Sequence, residues 1–162
     1  MSDLIIRNVV EEDFLVIAEV AEKCSPMTTE RNSIYHIFTK FFKNTSLVVE
    51  DEDGSVRGFL LGFISQDNSE NAYIHLLCLE KSLRGRKIAA DLVNKFIKIV
   101  SSMGSKKISL ITKPSNKTAI RFYNKIGFLS DKSDETVEID GINVFKGYNG
   151  PGHDKIVFYK FI

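Results

Sequence analysis

The sequence predicts a mixed α/β fold, with a mostly antiparallel central sheet flanked by helices. Three observations carry that expectation. The middle of the chain holds three apolar strand-like runs joined by turn signals, which reads as an antiparallel meander. At Ile88 the apolar period changes from that of a strand to that of a helix. Strand and helix patterns then alternate to the last residues, giving the order β-α-α-β-β-β-α-β-α-β. Leu, Ile, Val and Phe make up a third of the 162 residues, well above the roughly 20% below which a chain cannot bury a core. The length fits one domain over residues 1–162.

Leu4 to Ile6 reads as the first strand. Glu11, Glu12 and Asp13 then place negative charge where a helix N-terminus favours it, ahead of Phe14, Ile17, Ala18 and Ala21 at helical spacing. A second helix follows Ser25-Pro26, with Ile34, Ile37, Phe38 and Phe41 on one stripe. Ser46 to Glu50, Val56 to Ile64 and Asn71 to Leu79 are the meander, with Asp53-Gly54 turning between the first two. Ile88, Ala89, Leu92, Val93, Phe96 and Val100 form the apolar face of the longest helix, which Gly104 can end. Ile108 to Thr112 is a strand stopped by Pro114, Thr118 to Lys125 a helix, and Ile156 to Phe161 the closing strand. Between Ser130 and His153 the pattern is weak, with Asp140-Gly141 as a candidate hairpin turn and the segment as a candidate lid.

Charge excludes several roles. A net charge of +1 gives no general attraction to nucleic acid or to an anionic membrane, so any basic site must be local. No apolar stretch approaches the ~18 residues of a membrane span, and the first residues lack the pattern of a targeting signal. Cys24 and Cys78 are too few for a disulfide framework, and no His-Cys spacing suggests a metal site. These features point to a cytoplasmic protein without nucleic-acid or membrane partners, and they are compatible with a homodimer.

The strongest local feature is Leu83-Arg84-Gly85-Arg86-Lys87-Ile88-Ala89, between a buried strand and an amphipathic helix. The first amides of a helix lack intrahelical partners, and the helix dipole is positive there. Arg84, Arg86 and Lys87 add charge, and Gly85 lets the backbone come close, so the junction suits a phosphate. Read alone, it is equally a solvated basic turn. Further on, Asn116, Ala119, Tyr123 and Gly127-Phe128 fall on a strand-to-helix turn and the helix that follows.

Together these two motifs resemble the GNAT superfamily of N-acetyltransferases, with the closest match from about Leu76 to Phe128. The resemblance implies acetyl-CoA as co-substrate, no metal, and a strand ending at Leu79 that splays from a parallel neighbour. It implies that backbone groups of Leu77 and Leu79, with Cys78 between them, bond the pantetheine arm. The amides of Arg84, Gly85, Arg86, Lys87, Ile88 and Ala89 would cradle the pyrophosphate, and Asn116 would bond the arm from the next loop. Tyr123 would act as general acid to the leaving thiolate. Lys87 departs from the pattern, standing where the family has glycine. It either starts the helix with negative φ and its side chain in solvent, or turns back onto a phosphate.

The acceptor is then a primary amine, protonated at neutral pH, so a base must take its proton. Tyr73, His75, Leu77 and Leu79 alternate and are expected on one strand face, which makes His75, with its intrinsic pKa range, the candidate base. Glu80 and Cys78 fall on the other parity. Asn32-Ser33-x-Tyr35 with Thr45 to Glu50 resembles diaminobutyrate acetyltransferases, though similar second helices recur widely. An alternative to the enzyme is a degenerate acyl-CoA-binding module without turnover.

Overall fold

The computed structural model describes residues 3–162, which divide into two compact units, one up to Ser105 and the other Lys106–Ile162. In the first, β1 (Ile5–Asn8), β2 (Leu47–Glu50), β3 (Val56–Ile64) and β4 (Asn71–Leu79) pair antiparallel in that order. Helices α1 (Phe14–Glu22) and α2 (Asn32–Phe41) cover one face, where Ile17, Val20, Tyr35 and Phe38 bury against Val48, Phe59 and Leu61. Helix α3 (Ile88–Ser102) packs on the other face. Its Phe96 lies so close to β3 that a Cβ at Gly62 would stand 2.5 Å from the ring.

Glu11, Glu12 and Asp13 stand at the start of α1, as the sequence leads one to expect, with Asp13 as its N-cap. Glu11–Asp13 form a short 3-10 turn, and Asp13 is buried. Its carboxylate accepts from the Val10 amide at 2.8 Å and from both terminal nitrogens of Arg7 at 2.7 and 3.0 Å. A buried carboxylate is tolerated only when paired in this way.

Strand β4 carries a bulge. Leu76 faces Leu61 and Ile74 faces Gly62, which leaves His75 as an extra residue with no partner on β3. A bulge shifts the alternation of side chains. Tyr73 and His75 therefore share the α1–α2 face with Leu76 and Cys78, where the His75 ring stacks on Phe38 and Tyr73 meets Phe63. Opposite Leu77 and Leu79 lie Leu60 and Gly58, on the α3 face. The expectation that Tyr73, His75, Leu77 and Leu79 form one face is overturned by this extra residue.

Cys24, just after α1, and Cys78 on β4 are joined as a disulfide, with Cα atoms 6.0 Å apart. A single bridge is not the disulfide framework that two cysteines are too few to build. Partners 54 residues apart leave no local signal, and the pairing follows from the packing of α1 on β4.

In the second unit, β5 (Lys107–Thr112) and β6 (Leu129–Ser130) flank β9 (Ile156–Phe161), all antiparallel. Helix α4 (Lys117–Lys125) buries Ile120 and Tyr123. The weakly patterned segment contains a two-stranded sheet, β7 (Thr136–Ile139) with β8 (Ile142–Phe145). Its turn is at Asp140 and Gly141, with φ of 52° and 75°, the pair of positive values that a two-residue type I′ hairpin requires. Among the described residues no helix is long and apolar enough to cross a membrane.

Candidate active site

The phosphate-suited junction lies wholly in the first unit. After β4, residues Lys81–Leu83 make one 3-10 turn, and Arg84 closes it by donating its amide to Lys81 O at 3.2 Å. Its Nε donates to Leu79 O at 3.3 Å, so the Arg84 side chain ties the loop to the end of β4. The open donors therefore begin one residue later. Gly85, Arg86, Lys87 and Ile88 make no backbone amide hydrogen bond among the described residues, and Arg86 and Lys87 are exposed. Amides at the positive end of a 15-residue helix, beside three cations, are an arrangement that suits an anion.

Lys87 takes neither of the two expected placements in full. It caps α3 with φ of 64°, in the left-handed region, rather than entering the helix with negative φ. The chain turns from the loop into α3 at this residue, and an L side chain pays steric strain of about 1–2 kcal/mol for that conformation. The family glycine at this position is explained by the turn itself.

Backbone polarity along β4 is also set by register. Glu80 donates its amide to Arg57 O at 2.9 Å, and Cys78 lies two residues earlier, opposite Phe59. In an antiparallel pair the bonded positions alternate, so the amides and carbonyls of Leu77 and Leu79 point away from β3. The Cys78 side chain is engaged with Cys24, and Glu80 pairs with Arg57 at 3.4 Å and Lys23 at 3.7 Å.

His75 stands 3.2 Å from Glu30 through Nε2 and Oε1. Burial pushes its pKa below the ordinary histidine value, and the Glu30 carboxylate pulls in the opposite direction, more weakly. Glu30 has no place in the sequence reading. It lies 45 residues from His75 in a segment without periodicity, and only the packing of α1 and α2 brings it in.

In the second unit, Asn116 caps α4, its Oδ1 accepting the Ala119 amide at 3.1 Å. Tyr123 is 6% exposed and packs against Phe128 and Phe158, with ring centroids 5.5 and 5.8 Å away.

Residues 12–128 match the Acetyltransferase (GNAT) family. The chain belongs to that family. An L-2,4-diaminobutyric acid acetyltransferase of Shouchella clausii is 28% identical over 104 residues, 64% of this chain and 58% of the relative. An N-alpha-acetyltransferase MAK3 of Arabidopsis thaliana is 34% identical over 74 residues, 46% of this chain and 39% of the relative. The chain thus matches about half the length of these curated relatives. The GNAT fold itself is shown by solved structures. Diaminobutyrate acetyltransferase from Paenibacillus lautus, in complex with L-2,4-diaminobutyric acid and coenzyme A, superposes with a TM-score of 0.79 at 17% identity, over 98% of this chain and 95% of that one.

Proposed function

We propose that residues 1–162 are one acetyl-CoA-dependent N-acetyltransferase domain that moves acetyl directly from the thioester to a primary amine. The observation that carries this reading is the row of open amides from Gly85 to Ile88 at the start of α3, among Arg84, Arg86 and Lys87. Those amides, with that of Ala89, hold the pyrophosphate. The outward backbone groups of Leu77 and Leu79, on either side of Cys78, hold the pantetheine arm.

In the reaction, the acceptor ammonium first gives a proton to His75. The neutral amine then forms a C–N bond to the thioester carbon. When the adduct collapses, the C–S bond breaks, Tyr123 protonates the thiolate sulfur, and the extra proton on the adduct nitrogen restores Tyr123. One proton leaves from His75 to water, and the products are the acetamide and free coenzyme A. We place this chemistry in the cytoplasm, where acetyl-CoA is the available acyl donor.

The named relatives divide the acceptor into two classes, a small diamino acid and a protein α-amine. Thiol release from acetyl-CoA is therefore measured with L-2,4-diaminobutyrate and with short peptides carrying a free N-terminus. One of these amines is expected to release thiol above the hydrolytic background. Tyr123→Phe should then lower kcat by ~10²–10⁴-fold with little change in acetyl-CoA affinity. Thiol at background with every amine, together with acetyl-CoA binding, would leave a binding module instead of an enzyme.

A further inference from the structure

Strand β1 is one edge of the sheet. It pairs with β2 and has no strand on its other side among the described residues. The Val9 amide donates to Ser46 O at 3.1 Å, in the same register that sets Ile6 opposite Val49 and Asn8 opposite Leu47. Bonded and unbonded positions alternate along an antiparallel pair, so the amides and carbonyls of Ile6 and Asn8 point out of the sheet. An open row of this kind is a template for a further strand.

The row is complementary to itself. A two-fold axis through Arg7 sets Ile6 of one copy opposite Asn8 of the other. Each Ile6 amide then meets an Asn8 carbonyl, and each Asn8 amide meets an Ile6 carbonyl. Such pairing needs two acceptors from each copy, Ile6 O and Asn8 O, and both are in use within the chain. Lys95 of α3 donates its ammonium to Ile6 O, 89 residues away in sequence. Arg7 donates Nη1 to Asn8 O at 3.1 Å, from a guanidinium that Asp13 and Glu50 hold in place.

The Lys95 contact is a specific one. Asp91 stands one helical turn before Lys95, at the spacing of an ion pair. No such pair forms among the described residues, and the half-buried ammonium reaches the strand instead. We infer that Lys95, with Arg7, closes the free edge of β1 against pairing with a second copy of this chain. An incoming strand must displace both donors, and a half-buried ammonium that loses its acceptor is costly. The inference does not depend on the acetyltransferase reading.

Sedimentation velocity of the full chain, wild type and Lys95→Met, over a range of concentrations is the test. Methionine keeps an unbranched apolar stem and removes the donor. The mass of Lys95→Met should rise with concentration toward twice that of the wild type. Hydrogen exchange at the Ile6 and Asn8 amides should slow over the same range, as those amides gain partners. Adding Ile6→Pro removes one outward amide and no bond to β2, because that N–H faces away from the sheet. The double variant should return to the wild-type mass, and Lys95→Arg, which keeps a donor, should never leave it. A cooperative urea transition shows that each variant is folded, and Lys95→Gln takes the place of Lys95→Met if the latter lacks one. A wild-type mass at every concentration in the folded variant would overturn the inference. So would association that Ile6→Pro leaves unchanged, since that association uses another surface.

Discussion

Lys87 shows how one backbone angle revises a reading made from residue types. Its two expected placements differ in where the ammonium goes, and both assume a backbone any residue can adopt. The φ of 64° removes that assumption. Lys87→Gly therefore relieves strain rather than weakening the helix. Left-handed strain of about 1–2 kcal/mol is set against about 0.5–1 kcal/mol of glycine's extra freedom in the unfolded chain, so the variant should gain up to about 1.5 kcal/mol. Urea unfolding at constant m-value measures the gain. Acetyl-CoA affinity should hold, because the backbone amide remains and Arg84 and Arg86 still supply charge. A tenfold weaker affinity would instead assign the Lys87 ammonium to a phosphate.

Elements with a strong, sustained period were the legible part of the fold. The stripe through Leu92, Phe96 and Val100, the meander and the Asp140-Gly141 turn can all be read because their signals are local. The β4 bulge is not local. It is fixed by how β3 and β4 register against each other, and neither strand announces it, so simple alternation gives the strand but not the face of His75. Glu30 and the Cys24–Cys78 pairing were hidden for the same reason, since their partners are remote in sequence. The contact of α3 with β3 offers a test at this scale. A methyl group at Gly62 would meet Phe96 at 2.5 and 2.8 Å and the Tyr73 carbonyl at 2.9 Å, so the helix must lift or the strand must shift. Gly62→Ala is expected to destabilise by about 1–3 kcal/mol, and adding Phe96→Leu should recover part of that loss. Chemical denaturation of the single and double variants reads both, and strictly additive losses would show that the two residues do not compete for the same space.

For the molecule as a whole, a near-zero net charge means that affinity for a polyanionic co-substrate must come from local arrangement. The cations at the start of α3 are exposed, and salt screens exposed charges over a Debye length of roughly 8 Å at physiological ionic strength. The open amides are fixed dipoles that pay no ordering cost on binding, so they should carry most of the recognition. Acetyl-CoA should then stabilise the folded chain by RT ln(1 + [L]/Kd), which is about 2.7 kcal/mol at a hundredfold excess over Kd. At about 2–4 °C per kcal/mol for a domain of this size, Tm should rise by roughly 5–10 °C. Acetyl-pantetheine, which lacks the pyrophosphate, should leave Tm nearly unchanged at the same concentration. Raising the salt should erode the acetyl-CoA shift only in part. An equal shift with both compounds would move the binding energy from the α3 amides to the pantetheine arm along β4, and no shift with millimolar acetyl-CoA would remove the co-substrate.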